Sequence, residues 1–325
     1  MTNALYDVLV IGAGPSAYTA ALYAARNNRK VLVCHGMGPS GQLSSTKEVE
    51  NFPSYPDGIM GPDLVYRCYE QATKCGAETK DAMVTRLRKE ADGSFAVTAE
   101  PTDGTAAVEL QARTVIVASG ADARRLGCPG EEQYWTKGVS ACAVCDGALP
   151  IFRNKPVLVI GGGDTAMEEA MHMTRYASKT YVVHRRDQFR ASAVMQKRVL
   201  GSEKIEVVWD SVLEEICGDG NLCKSAKVKN VKTGEVTEIE CAGVFFAIGH
   251  TPNTQFLRDS GAEFAKVLDS EAGHMIVQPG TSITAVDGLF ASGDVADKRY
   301  RQAITAAGSG CMGALDAEHY LSARD

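Results

Sequence analysis

What this sequence lacks narrows its identity before any motif is considered. No apolar run among its 325 residues approaches the ~18 needed to span a membrane, so no membrane partner is expected. Positive charge is not in excess: the formal net charge is -6, whereas non-specific nucleic-acid binding needs a positive field. The start lacks a basic segment and a small-residue cleavage site. Leu5 to Ile11 already reads as the first strand of the fold, and a cytoplasmic location is expected. A second CxxC is also missing. Of ten cysteines only Cys142 and Cys145 have a spacing with built-in chemistry, while Cys217 and Cys223 lie six apart in a Gly/Asp loop. A zinc site needs more ligands than that, so no metal is expected and the other thiols should be reduced.

What is present begins with an internal repeat. Asp7 to Ile11 is an apolar strand that enters Gly12-Ala13-Gly14-Pro15-Ser16-Ala17. Pro156 to Ile160 does the same before Gly161-Gly162-Gly163-Asp164-Thr165-Ala166. Helical stretches follow at Tyr18 to Asn27 and Met167 to Tyr176, then short strands at Lys30 to Cys34 and Thr180 to His184. A second echo closes each half: Thr114 to Gly120 and Gly243 to Gly249 are both buried-type strands ending in glycine. Between these landmarks lie two expected hairpins, Phe95 to Ala99 with Val108 to Ala112, and Lys227 to Val231 with Val236 to Glu240. The expected fold is α/β, with two Rossmann-like, three-layer ββα nucleotide-binding domains, each carrying a small antiparallel appendage. The second is inserted into the first, giving 1–123 with 252–325, and 124–251.

Gly12-x-Gly14-x-x-Ala17 and Gly161-x-Gly163-x-x-Ala166 fit the dinucleotide fingerprint. The first glycine permits the turn, the second admits a pyrophosphate, and the third small residue lets helix and strand pack closely. One match is weak evidence, but two in strand–turn–helix context are strong. A carboxylate for the ribose is expected about 20 residues on. After the first motif the chain reads Val33-Cys34-His35-Gly36, with no acid. After the second it reads His184-Arg185-Arg186, with Arg190 to follow. Guanidinium forks there suit a 2′-phosphate, hence NADPH over NADH.

Cys142-Ala143-Val144-Cys145-Asp146 carries the reaction chemistry. Thiols at i and i+3 can close a local disulfide. Ser140 is the expected N-cap, which would put Cys142 in a first helical turn where the dipole favours a thiolate. None of the six histidines is near in sequence, so Asp146 is the expected proton carrier. Downstream, Thr281 to Val295 is expected as a strand ending in Gly293-Asp294, whose carboxylate can bind ribityl hydroxyls. Ala303 to Leu321 is expected as a small-residue helix.

Further segments complete the set: Gly41-Gln42-Leu43, Glu48 to Pro53, Phe189-Arg190, Ala247 to Asn253, and Arg301-Gln302-Ala303. With these, nearly the whole chain resembles the low-molecular-weight thioredoxin reductases. The resemblance implies a homodimer in which NADPH reduces FAD, FAD reduces the Cys142–Cys145 disulfide, and the dithiol reduces thioredoxin. It implies that Cys145 faces the flavin, Cys142 attacks the partner disulfide and Asp146 manages protons. It also implies two arrangements of the inserted domain, with hinges near Gly120 to Leu126 and Gly249 to Asn253. FAD contacts are implied for Gly12, Gly14, Pro15, Ser16, Ala17, Gly41, Gln42, Leu43, Asn51, Val84, Ser119, Gly120, Gly293, Asp294, Arg301, Gln302 and Ala303. NADPH contacts are implied for Gly163, Asp164, Thr165, Ala166, His184, Arg185, Arg186, Arg190, Ile248 and Gly249. A dithiol oxidase, a ferredoxin-dependent relative and a non-catalytic nucleotide sensor are the competing readings. The arginine cluster argues against the ferredoxin-dependent type.

Overall fold

A computed structural model describes residues 4–325. The chain divides into two compact units, one comprising the chain up to Asp122 together with Thr251–Asp325, the other Ala123–His250.

In the first unit the strand Leu5–Ile11 lies between Val31–Cys34 and Val108–Val117, parallel to both. Glu78–Lys80 and Leu289–Ala291 extend this parallel sheet at its two sides. Strand alternation sends successive side chains to opposite faces. Val8 and Val10 therefore pack with Ala17, Tyr18, Ala314 and Leu321 of the helices Pro15–Arg26 and Ala303–Ser322. Leu9 and Ile11 pack on the other face with Phe95, Val97, Leu257 and Phe264. Burial on both faces explains why these strands are unbroken apolar runs. Val108–Val117 is one continuous element that joins the parallel and antiparallel parts of a single seven-stranded sheet. Its first half pairs antiparallel with Phe95–Pro101, and its second half joins the parallel sheet. The sequence expectation had split it in two.

The second unit repeats the plan. Five parallel strands run in the order Val139–Ser140, Gly243–Phe246, Pro156–Ile160, Lys179–Val183, Ile205–Val208. Val157 and Val159 face Ala166, Met167 and Ala170 of the helix Asp164–Met173. Leu158 and Ile160 face Leu213, Ile216 and Val228 of an antiparallel layer. Both units are thus three-layered: helices, parallel strands and a smaller antiparallel layer, which in the second unit is a sheet of its own.

Each expected hairpin has a third strand. Ala82–Lys89 joins the first and Ser211–Gly218 the second. The expected strand from Thr281 to Val295 is corrected. Only Leu289–Ala291 is extended in a ladder, Ile283 makes a single bridge to Phe290, and Gly293–Val295 is a turn of 3₁₀ helix. Gly288 and Gly293, both at positive φ, turn the chain within that stretch and prevent a long strand.

Candidate active site

In the first unit, Gly12 sits at φ +138°, and a Cβ there would collide with the carbonyl of Ala118. Gly14 caps the helix Pro15–Arg26, with Pro15 at its first position and open space where a side chain would be. Unpaired amides of the first helical turn therefore meet no obstruction, as a bound pyrophosphate requires. Ala17 is fully buried. The Gly293 turn is folded onto this helix start: a Cβ on Gly293 would meet the Ser16 Cβ at 2.9 Å, and Ser16 Oγ donates to Ser292 Oγ at 2.8 Å. Gly41 lies against Gly14, its Cβ position 3.8 Å from the Gly14 Cα. Leu43 follows in the 3₁₀ turn Gln42–Ser45, and Gln42 Nε2 donates to the Ala121 carbonyl. Asn51 Nδ2 donates to Gln302 Oε1 at 3.3 Å, joining residues 251 apart in sequence. Gln302 also caps the helix that begins at Ala303, and Arg301 precedes it at φ +48°. Ser119 Oγ donates to the Asn253 carbonyl at 2.7 Å, and Gly120 follows at φ +73°. Val84 has its side chain in the core.

Asp294 is the one carboxylate in this group, and it is not satisfied by the protein. Its Oδ1 is buried without a hydrogen-bond partner. Burial and the neighbouring charge of Asp297, partly offset by Arg301, push its carboxyl up to about 6. Buried polar atoms are seldom left unpaired, so a donor from outside the protein fits this position.

In the second unit, Gly161 repeats the role of Gly12 at φ +153°, with a Cβ position 2.5 Å from the Ala247 carbonyl oxygen. Gly163 caps the helix Asp164–Met173, which contains Thr165 and the fully buried Ala166. The basic loop folds back on this turn. Arg190 N donates to the Gly162 carbonyl at 2.8 Å, and Asp164 Oδ1 accepts from Ser192 N and Oγ. His184 lies over Gly162, where a Cβ would run into its ring, and Nε2 meets the Gln188 carbonyl at 3.0 Å. Arg185, Arg186 and Arg190 are exposed. Asp187, the acid nearest them in sequence, is 3.5 Å from Lys232, and among the described residues none of the three arginines makes an ion pair. Ile248 and Gly249 close the strand end, with Gly249 at φ +97°.

Cys142 and Cys145 are joined in a disulfide with Cα atoms 5.3 Å apart. Here the cap expectation is corrected. Cys142 itself, not Ser140, is the N-cap of the single helical turn Ala143–Asp146, and its Sγ accepts from Cys145 N at 3.1 Å. Ser140 ends the edge strand Val139–Ser140 and so cannot start the helix. Instead its Oγ accepts from Cys142 N at 3.0 Å and donates to Asp146 Oδ2 at 2.5 Å. One hydroxyl thereby ties the first cysteine to the acid. Burial raises the Asp146 carboxyl above the usual carboxylate range, and the Ser140 bond opposes that rise. Cys145 is exposed and Cys142 half-buried. Gly147 keeps the turn close to the helix Asp164–Met173, since a Cβ would meet Met173 Sδ at 2.8 Å. Among the described residues no cluster of His, Cys, Asp or Glu could hold a metal, and no helix is long and apolar enough to cross a membrane.

Two dinucleotide folds and a two-cysteine disulfide define an oxidoreductase of a specific kind. The family model described as pyridine nucleotide-disulphide oxidoreductase matches residues 6–310, and the chain belongs to that family. It is 48% identical to thioredoxin reductase 1 of Saccharomyces cerevisiae, over 97% of this chain and 98% of that protein. Thioredoxin reductase of Chlamydia pneumoniae is 49% identical over 97% of this chain and 98% of its own length. The crystal structure of thioredoxin reductase from Streptococcus pyogenes superimposes with a TM-score of 0.89 at 42% identity, covering 99% of this chain and all of that one.

Proposed function

We propose that this chain is an NADPH-dependent flavoprotein thioredoxin reductase, working as a cytoplasmic homodimer. The observation that carries the reading is the Cys142–Cys145 disulfide, bonded through Ser140 to Asp146, in a unit that also presents three exposed arginines beside a glycine turn. FAD fits the first unit, where Gly14 leaves a helix start open and Asp294 offers an orphaned acceptor. NADPH suits the second, where Gly163 caps a helix start as a pyrophosphate site needs and the exposed Arg185, Arg186 and Arg190 have the chemistry to pair with a 2′-phosphate. When bound, the flavin supplies two-electron transfer from NADPH to the cysteine pair.

The chain's own residues perform the exchange. As a thiolate, Cys142 attacks one sulfur of the thioredoxin disulfide, forming a mixed disulfide and releasing the other sulfur as a thiolate. Cys145 then attacks Cys142 Sγ, which reforms the internal disulfide and expels thioredoxin's second thiolate. Thioredoxin's two sulfurs gain two protons: one is the proton that Cys145 loses as it attacks, the other comes from solvent, and Asp146, held by Ser140, passes one to the leaving sulfur. Its raised pKa keeps the proton available at higher pH than an exposed carboxyl would. Asp146→Asn is expected to slow thioredoxin reduction by roughly 10²-fold while NADPH-driven flavin reduction keeps its rate. Stopped-flow absorbance separates the two steps, and an unchanged thiol step would remove Asp146 from the mechanism.

Asp294 adds a pH signature. Its folded pKa of about 6 lies above that of an unfolded aspartate. The native state therefore binds more protons in that window, and stability falls as pH rises through it. The contribution is greatest below the unfolded pKa and is lost as pH passes about 6, a span of up to ~3 kcal/mol. Asp294→Asn is expected to raise the melting temperature of flavin-free protein at pH 7.5, to do less at pH 5, and to weaken FAD binding. Calorimetry at the two pH values tests this, and a variant melting at the wild-type temperature at pH 7.5 contradicts it.

A further inference from the structure

The first nucleotide fold places no carboxylate in sequence at the end of its second strand, where a ribose ligand belongs. The structure brings one there from another strand. The chain leaving Val31–Cys34 is pinned to the corner between Glu78–Lys80 and Ala82–Lys89: His35 N donates to the Lys80 carbonyl at 3.2 Å, and Gly36 N to the Ala82 carbonyl at 3.1 Å. Asp81 is the residue at that corner. Its backbone carbonyl accepts from Thr102 N at 3.0 Å, and its Oδ1 lies 2.7 Å from His35 Nε2.

His35 is buried and fully engaged, with Nδ1 2.9 Å from the Tyr18 hydroxyl. A carboxylate only accepts, so Nε2 is the donor to Asp81, and the phenol engages Nδ1. Burial raises the Tyr18 pKa, which keeps that phenol a donor. Tyr18 thus anchors the ring through Nδ1 and Nε2 holds Asp81, while the Asp81 side chain remains 67% exposed. It faces a cavity of 640 Å³ lined also by Gly38, Asp63, Tyr66 and Tyr69, within the usual size of a small-molecule site. None of Gly12 to Ala17 lines this cavity, but the loop that follows Val31–Cys34 passes from it to the fingerprint turn. A Cβ on Gly38 would lie 4.0 Å from Asp81 Oδ1, and one on Gly41 would lie 3.8 Å from the Gly14 Cα.

We infer that Asp81 is the ribose ligand at the adenosine end of FAD, with His35 as its positioning residue. The inference rests on the flavin reading above and extends it to two residues that the fingerprint does not contain. The carboxylate the fold needs is delivered across the sheet rather than along the second strand.

The test titrates flavin-free protein with FAD, with FAD carrying 2′-deoxyadenosine, and with FMN, reading flavin fluorescence. Wild type is expected to bind the deoxy form about 10-fold more weakly than FAD, the loss of one charge-assisted hydrogen bond. Asp81→Ala should bind FAD about 10-fold more weakly, bind FMN unchanged, and no longer distinguish the two FAD forms. His35→Phe keeps a ring in the buried slot and should lose most of the same discrimination. Asp63→Ala should retain it. Wild-type discrimination in Asp81→Ala, its loss in Asp63→Ala instead, or an equal loss of FMN affinity would each overturn the assignment. A wild-type protein that binds neither form of FAD would instead sink the flavin reading itself.

Discussion

Replacing Cys142 with serine is expected to lower thioredoxin turnover by roughly four orders of magnitude while leaving NADPH-driven bleaching of the flavin intact. The size follows from the role: a nucleophile that forms a covalent intermediate cannot be partly replaced, because the serine hydroxyl is not ionised at neutral pH. The selectivity follows from the architecture. Cys142 ends no strand of the first unit, and its contacts include Cys145, Ser140 Oγ and the Asp146 amide, all in the second unit. The substitution therefore leaves the open helix start at Gly14 and the Asp294 acceptor untouched. Anaerobic single-turnover absorbance measures flavin reduction, and insulin-coupled thioredoxin turnover measures the exchange. Sustained turnover by the serine variant would remove the cysteine pair from the reaction.

The second large effect concerns nucleotide choice. Arg185→Ala combined with Arg186→Ala is expected to raise the KM for NADPH about 100-fold and that for NADH by less than about 2-fold. Each exposed guanidinium–phosphate contact is assigned about 1.4 kcal/mol, a tenfold effect, because solvent screens it. NADH has no 2′-phosphate to lose. The fold-back of the loop onto Gly162 depends on the Arg190 and Ala191 amides rather than on these two side chains. The double variant should therefore keep its fold and its melting temperature. Steady-state kinetics with both nucleotides decide the matter, and equal losses for the two would contradict 2′-phosphate recognition.

Much of this arrangement was legible in the sequence because the signals are local. A strand buried on both faces must be apolar throughout, so Leu5–Ile11 and Pro156–Ile160 announce themselves, and the glycines after them are dictated by positive φ and by collisions with Ala118 and Ala247. Less was legible where pairing depends on irregularity. The third strands, Ala82–Lys89 and Ser211–Gly218, both carry register shifts, at Val84/Arg86 and at Leu213/Glu215. A bulge breaks the two-residue alternation that reveals a strand. The helix Gly61–Lys74 could have been found, since Pro62 and Asp63 mark its first turn.

At the site, sequence spacing located the cysteine pair but misassigned its cap. Ser140 has the right chemistry for an N-cap, yet strand pairing with Phe245 holds it extended, and its hydroxyl serves Asp146 instead. The long-range links were invisible for a simpler reason. Asn51 with Gln302, and His35 with Asp81, are brought together only by the tertiary fold, which single-sequence patterns do not encode.

The central claim is that NADPH electrons leave this protein through Cys142 and Cys145 to thioredoxin. Anaerobic NADPH consumption by the purified flavoprotein, with and without oxidised thioredoxin, tests it most directly. Consumption should stop after flavin and disulfide are reduced, then resume in proportion to added thioredoxin. Flavin reduction that never becomes turnover when thioredoxin is added would contradict the claim.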